Sequence, residues 1–345
     1  MGSDGGDGGA AVRVEKMKIV ISGANGFIGS WLIKEMLAKT DHQIWALVRP
    51  ESDRSKLPEH RNLKVIGIDY EREEQIRGAV EGKDVCIHLI GQMGKYGVAD
   101  EIYEKINVEL TRWLLQICEE EGIGQFIFCS TPGVQGFGHR LAREEEPYAP
   151  RNLYEITKVH AEQCVMDFCK GKKIAYTIIR PDFVYGPEDT RRVKMYKNIQ
   201  KKRFILTTNG KSYLHPTYVT DVAQGFIRAI GRQEAYNQVF NISAAQDVTA
   251  KEFITAIADC VHSKPIHFNI GYGCSVFLAG VIEKICAKIL HKDAFVSRNK
   301  IDFLALNHST SIEKAEKLLG YHPEVSLQEG MKRTIDWCYA NGLLD

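Results

Sequence analysis

The chain has 345 residues, more than one ordinary domain needs, so one large α/β domain with a smaller appended region is expected. Its 45 Lys and Arg stand against 44 Asp and Glu, a balance that provides no electrostatic footprint for nucleic acid or a membrane surface and leaves any anionic ligand to local charges. The nine cysteines are scattered without a CxxC pair and no HExxH occurs, so the chain reads as a cytoplasmic protein with reduced thiols and no metal.

Residues 1–16 open with MGSDGGDGGA, lack the apolar core of a signal peptide, and read as a disordered leader. From Met17 short β-branched runs alternate with helical patterns. Strands are predicted at Lys18–Ser22, Gln43–Val48, Leu63–Ile68, Val85–Ile90, Phe126–Cys129 and Ala175–Ile179. Helices are predicted at Ile28–Ala38, Glu73–Val80, Tyr103–Glu120 and Leu153–Cys169. Six strands with interposed helices make a doubly wound parallel sheet of Rossmann type over residues 17–180, with the ligand crevice beyond the strands' carboxyl ends. Residues 181–345 then form a mainly substrate-binding region, partly interleaved with that sheet. It holds a basic run from Arg191 to Arg203, read as a solvated face or a phosphate clamp. Further strands are predicted near Phe204–Leu206 and at Val239–Ile242, and helices at Thr249–Val261 and Leu327–Ala340. The apolar stretch Cys274 to Leu290 contains Glu283, Lys284 and Lys288, which argue against a transmembrane segment. Its Phe277, Val281, Ile285 and Ile289 recur at helical spacing, and the expectation is a packed amphipathic helix rather than a membrane-contacting one.

The first strand runs into Gly23-Ala24-Asn25-Gly26-Phe27-Ile28-Gly29 and then a helix. Glycines at 23, 26 and 29 permit a tight turn, close approach of backbone amides to a pyrophosphate, and close helix–strand packing. At the end of the second strand, where a site for NAD would place an acidic residue against the ribose 2′-hydroxyl, stands Arg49. Its guanidinium can fork onto a 2′-phosphate, so NADP(H) is favoured, with NAD(H) as the alternative. Asp69 either reaches the adenine or caps the following helix. Tyr70 and Leu89 complete the expected cofactor-binding positions. His88, inside the fourth strand, reads as a core histidine.

Tyr154 and Lys158 lie four residues apart on one face of a predicted helix. Moving a proton to or from a substrate oxygen needs a group of this kind. Acting as a base near neutral pH requires the phenol to fall by about 3 units from about 10, roughly 4 kcal/mol. One nearby cation gives about 1–3 units, so Lys158 together with an oxidised nicotinamide ring is expected to supply the shift. Ser130 and Thr131, at the end of the fifth strand, offer hydroxyls to hold the substrate oxygen.

These pieces, together with DVCIHL, NVELT, FIFCST, YEITK, RPDFVYGP, YVTDVA and LGYHPEVSLQEG, resemble the extended short-chain dehydrogenase/reductase family over nearly the whole chain from Met17. The family includes nucleotide-sugar epimerases and dehydratases, dihydroflavonol reductases and 3β-hydroxysteroid dehydrogenases. The resemblance implies Thr131, with Ser130, as the substrate-orienting hydroxyl, Tyr154 as acid/base, and Lys158 on the nicotinamide ribose and phenol. It further implies Asn107 in the proton-relay geometry, Pro181 to Val184 along the nicotinamide, and a homodimer through the two long helices. Where dehydratases of the family carry Asp-Glu this chain has Pro132-Gly133, which disfavours dehydration. Where many epimerases carry Arg-Asp it has Leu214-His215, leaving Arg191 or Arg192 as substitutes. The resulting expectation is an NADP(H)-dependent oxidoreductase acting on a secondary alcohol or ketone of a ring-bearing small molecule. The alternatives are a nucleotide-sugar epimerase that retains its cofactor, and a non-catalytic NADP-binding sensor.

Overall fold

The computed structural model describes residues 16–94, 97–206, 208–264, 266–267, 270–286, 296 and 298–345; all but Lys16 of the expected leader, and positions 287–290 of the apolar stretch, lie outside them. The chain runs β1 (Lys18–Ser22), α1 (Phe27–Lys39), β2 (Gln43–Val48), β3 (Leu63–Gly67), α2 (Glu73–Val80), β4 (Val85–His88), α3 (Asp100–Glu104), a π-helical turn (Lys105–Glu109), α4 (Leu110–Glu120) and β5 (Gln125–Cys129). It continues with β6 (His139–Ala142), α5 (Leu153–Cys169), β7 (Ala175–Pro181), β8 (Val184–Tyr185), α6 (Val193–Gln200), β9 (Ile205–Leu206), β10 (Tyr213–Leu214), β11 (Thr217–Tyr218), α7 (Val219–Ala229) and β12 (Gln238–Ile242). The last part comprises β13 (Val248–Thr249), α8 (Ala250–Cys260), β14 (Ile266–His267), α9 (Tyr272–Ile285), α10 (Arg298–Ala305), β15 (His308–Thr310), α11 (Glu313–Leu319) and α12 (Leu327–Ala340).

Seven parallel strands form the main sheet in the order β12-β7-β5-β4-β1-β2-β3. The strand order reverses between β1 and β4, and the crevice for a ligand lies there, beyond the carboxyl ends. Alternation along β1 divides the core in two. Ile19 and Ile21 pack with Leu32, Ile33 and Met36 of α1 and Val222 and Phe226 of α7. Val20 joins Ile76 of α2, Leu114 and Leu115 of α4, and Ala161 and Val165 of α5 on the other face. A third cluster, with Tyr196, Phe253, Ile257, Met331 and Ile335, holds α6, α8 and α12 together beside the sheet. The run predicted at Val239–Ile242 thus belongs to the main sheet as its seventh strand, so the later half of the chain completes the layers begun by the first.

Two predicted elements differ. The single helix expected over Tyr103–Glu120 is α3 and α4 joined by a π turn, because Asn107 is drawn inward. Its side chain donates to Thr157 Oγ1 at 2.9 Å and to the Gln92 carbonyl at 3.2 Å, and accepts from the Gln92 amide at 2.7 Å. The packed helix expected from Cys274 is also corrected. In α9 the buried positions are the small ones, Ser275, Ala279 and Gly280, whereas Phe277 is 70% and Leu278 50% exposed, and Val281 and Ile285 are exposed as well. Gly280 lies so close to the Arg298 guanidinium that a methyl group there would collide with it, so the small side of the helix is what admits α10. No helix among the described residues is long and apolar enough to cross a membrane.

Behind the site, Asp182 is buried and accepts from Thr310 Oγ1 at 3.1 Å, while Thr310 shares a 2.5 Å hydrogen bond with Ser243. Desolvation pushes the Asp182 carboxyl up to about 8, against the pull of its Thr310 and Phe183 hydrogen bonds. Its folded pKa therefore lies above the ordinary value of about 4, so its contribution to stability is whole below about pH 4 and is lost as the pH rises towards 8. Thermal melts should show Asp182→Asn flattening the fall in Tm between about pH 5 and 8; a fall identical to that of the wild type would refute the assignment.

Candidate active site

At the end of β1 the chain turns sharply through Gly23, whose φ of 72° is left-handed, and the Gly26 amide returns to the Gly23 carbonyl at 3.1 Å. Gly26 is the N-cap of α1 and no side chain caps the helix. The first amides of α1, from Phe27 to Gly29, are therefore left for an anion by the helix geometry itself. Gly29 is packed so tightly on the Gly23 and Ala24 carbonyl oxygens that no Cβ fits. The Asn25 side chain donates to the Asp53 carbonyl at 3.1 Å, tying this turn to the loop that follows β2. These features fit the pyrophosphate of a dinucleotide. Arg49 opens the second loop with an exposed side chain, while Arg54 donates to the Pro50 carbonyl at 3.3 Å. Asp69 takes the Glu71 amide at 3.0 Å and pairs with Arg72 at 3.4 Å, the geometry of a turn cap before α2. The Tyr70 hydroxyl is buried without a hydrogen-bond partner among the described residues. Leu89 packs behind the turn, its amide on the Ser22 carbonyl at 3.1 Å. His88 is the core histidine expected: its ring joins Ser22 at 2.6 Å and Thr111 at 3.0 Å, and burial lowers its pKa to about 3.

The second half of the site is built on α5, capped by Asn152, which accepts the Glu155 amide at 3.0 Å. Lys158 is buried and its ammonium donates to the Cys129 carbonyl at 2.6 Å, 3.9 Å above the Phe128 ring. Desolvation lowers its pKa to about 8, opposed by Cys129 and Glu162. Thr131 caps the short turn Pro132–Gln135, taking the Gly133 amide at 3.3 Å, and the Ser130 hydroxyl is buried without a partner among the described residues. A small, mostly apolar cavity is lined by Pro132, Gly133, Phe137, Ala142 and His308. Pro181 and Val184 are buried at the end of β7 and in β8, and between them Phe183 sits at a positive φ of 29°.

The protein's own groups act on Tyr154 in opposite directions. Desolvation pushes the phenol well above its usual range, Cys129 and Glu155 push it the same way, and Arg191 and Thr131 pull it down. The protein's own groups therefore do not lower the phenol, and the downward shift expected with the oxidised nicotinamide is left to that ring's charge. The Lys158 charge is spent on a backbone carbonyl, and the burial penalty on a phenolate exceeds what Arg191 returns.

Arg191 is the residue that reading the sequence did not assign to the phenol. The basic run divides in the structure. Asp189, wholly buried, pairs with Arg191 at 2.6 Å and Arg192 at 3.4 Å. Arg192 turns inward over the Phe183 ring at 4.1 Å and donates to the Val184 carbonyl at 2.8 Å, whereas Arg191 stays exposed over Phe27 at 5.2 Å. Lys194, Lys201, Lys202 and Arg203 form the solvated face. Leu214 and His215 are both buried, and His215 is spent on the Thr310 carbonyl at 3.0 Å, with a pKa lowered to about 4 by burial.

Residues 19–243, most of the chain, match the profile of the NAD dependent epimerase/dehydratase family. The chain belongs to that family. Among curated relatives, a 2-alkyl-3-oxoalkanoate reductase of Stenotrophomonas maltophilia is 26% identical over 92% of this chain and 98% of its own length. A decarboxylating sterol-4-alpha-carboxylate 3-dehydrogenase of Schizosaccharomyces pombe is 26% identical over 93% and 97%. A UDP-glucose 4-epimerase of Vibrio cholerae is 24% identical over 92% and 94%. Of solved structures, gox2253 superposes with a TM-score of 0.79 at 23% identity, covering 96% of this chain and 100% of that one. The UDP-glucuronic acid 4-epimerase of Bacillus cereus, in complex with UDP-glucuronic acid and NAD, gives 0.75 at 22% identity, with 94% and 100% covered. These superpositions establish the fold, and membership of the family makes the chain an NAD(P)-dependent enzyme.

Because no Cβ fits at Gly29, Gly29→Ala should weaken NAD(P)H binding by about tenfold or more, some 1.4 kcal/mol, in a fluorescence titration. An unchanged titration would remove the turn from the cofactor site.

Proposed function

We propose that the enzyme transfers hydride between NADP(H) and a ketone or secondary alcohol on a ring-bearing small molecule, with Tyr154 exchanging the proton. The observation that carries this reading is the placement of Tyr154: a half-buried phenol near the Thr131 hydroxyl and the Arg191 charge, one helical turn from the buried Lys158. The amides of Phe27 to Gly29 hold the pyrophosphate, Arg49 the 2′-phosphate, and Asp69, Tyr70 and Leu89 the adenosine side. When bound, the dinucleotide supplies the hydride. Thr131 and Ser130 orient the substrate oxygen, and Tyr154 donates to it as negative charge develops there. Lys158 is held by Cys129 for the nicotinamide ribose, and Asn107 fixes Thr157 and the Gln92 backbone on either side of the relay. Pro181 and Val184 line the nicotinamide.

Relatives named for a 3-oxoalkanoate and for a sterol support an apolar, carbonyl-bearing substrate. The exposed Arg191 beside the phenol favours a second reading, a nucleotide-sugar epimerase in which it grips the diphosphate. Cofactor released from purified protein separates the two, since stoichiometric NAD(P) marks the epimerase and an empty site the reductase.

Tyr154→Phe should lower kcat of reduction by roughly 10²–10⁴, the usual worth of a general acid. With Lys158 at about 8, the wild-type rate should fall as pH rises through that value and the ammonium is lost, and Lys158→Met should abolish that limb. A pH-independent wild-type rate from 7 to 9 would contradict this. For the cofactor, kcat/KM should favour NADPH over NADH and Arg49→Ala should erase most of the preference. Equal efficiency with both, unaltered in Arg49→Ala, would end the NADP(H) assignment.

A further inference from the structure

Two buried atoms near the Thr131 turn lack a partner, and each is left as an acceptor by the bonds its own side chain already makes. His308 Nδ1 meets the Leu306 carbonyl at 3.1 Å, and a carbonyl only accepts, so Nδ1 carries the proton. Burial lowers the imidazole pKa to about 4, so near neutral pH the ring is uncharged and Nε2 keeps its lone pair. The ring is held between Phe137, at 5.0 Å, and Phe303, at 4.4 Å, which fixes the edge it presents. Gln135 is 2% exposed, and its Nε2 donates to the carbonyls of Arg143, Glu144 and Glu146 at 2.7, 3.3 and 3.0 Å. Turning the amide over would set its oxygen against three oxygens, so the orientation is fixed and Oε1 is free to accept. His308 Nε2 and Gln135 Oε1 are both buried without a hydrogen-bond partner among the described residues.

Both side chains line one cavity, the small one walled by Pro132, Gly133, Phe137 and Ala142. No Lys, Arg, Asp or Glu is among its lining residues, so nothing there pairs with a charged ligand. A carboxylate, phosphate or ketone oxygen would bring more lone pairs to two acceptors, whereas a neutral hydroxyl brings the missing proton. Pro132 follows Thr131 directly, with consecutive Cα atoms about 3.8 Å apart, and the Gly133 amide donates to Thr131 Oγ1 at 3.3 Å. The cavity wall therefore starts at the residue assigned to the reacting oxygen. His308 itself comes from β15, which pairs with β6, so the C-terminal half of the chain supplies part of the cavity.

We propose that this cavity is a substrate subsite that reads a hydroxyl group beside the carbon exchanging hydride, with His308 Nε2 and Gln135 Oε1 as its acceptors. It rests on the function proposed above for the ring and for the placing of the reacting oxygen at Thr131. A ring that carries a neighbouring hydroxyl satisfies the acceptors; a ring with an ether or a carboxylate in that place leaves them unmet.

The test is binding of three probes to the full-length protein, followed by saturation-transfer NMR: vicinal cyclohexanediol, cyclohexanol, and the monomethyl ether of the diol. NADPH and NADH are both supplied, so that the alcohols bind without turning over. The diol should bind at least about tenfold more tightly than cyclohexanol, and the methyl ether, which brings no second proton, no more tightly than cyclohexanol. His308→Phe, which keeps an aromatic ring between Phe137 and Phe303 but not the lone pair, should reduce the diol to the level of cyclohexanol. Equal affinity for diol and cyclohexanol in the wild type overturns the subsite and gives the two acceptors to buried water. So does a preference undiminished in His308→Phe. The comparison among probes needs no variant, so it decides the matter even where His308→Phe fails to fold. A diol preference together with undiminished ketone reduction in Tyr154→Phe would fault the proposed reaction and leave the subsite standing.

Discussion

The site depends on one buried ion pair. Arg180 of β7 and Glu162 of α5 are almost wholly excluded from water and meet through two parallel hydrogen bonds, at 2.9 and 2.7 Å. The Tyr148 hydroxyl adds a bond to Glu162 at 2.8 Å, and Arg180 donates to the Glu144 carbonyl at 3.2 Å, so the buried charges are hydrogen-bonded as well as paired. Removing one partner of such a pair costs about 3–5 kcal/mol, because the other is left charged in the interior. The pair clamps the helix bearing Tyr154 and Lys158 to the strand that ends in Pro181. Glu162 also lies one turn beyond Lys158, and its charge opposes the desolvation that lowers the lysine to about 8. The same carboxylate thus places the catalytic helix and helps to keep its ammonium charged.

A second economy of charge operates at the mouth. Asp189 is wholly buried and shared by two arginines, so the cluster carries one net positive charge. Because Arg192 is stacked on Phe183 and bonded to the Val184 carbonyl, the residual charge is expressed at Arg191, on the side of the phenol. Phe183 itself sits at an unfavourable φ and is wedged against Phe253 at 5.1 Å and Phe303 at 4.6 Å. Packing by the C-terminal half therefore sustains the strained turn next to the site.

Strands, the glycine turn and the spacing of Tyr154 and Lys158 were legible because each depends on local pattern: period two, a turn that tolerates no side chain, and one helical turn. What was not legible depends on partners distant in the chain. The π turn at Asn107 follows from Gln92 and Thr157, 15 and 50 residues away. The stripe on α9 was visible as a period, but a period does not say which side meets the protein, and here Gly280 and Arg298 decided it. Arg180 and Glu162 are 18 residues apart, in segments that read as an ordinary strand and an ordinary helix. The upward push on the Tyr154 phenol was not legible for the same reason: the spacing to Lys158 is local, the desolvation is not.

That sign bears on direction. A phenol held above its usual range is already protonated near neutral pH, so it is ready to donate to an oxygen that has just received a hydride. Taking a proton from an alcohol instead requires the phenolate, and each unit by which burial raises the phenol adds about 1.4 kcal/mol to that step. One added cation returns about 1–3 units, which Arg191 alone does not achieve against desolvation. Oxidation would therefore lean on the positive charge that the oxidised dinucleotide brings, whereas in reduction the dinucleotide would supply the hydride and the phenol the proton.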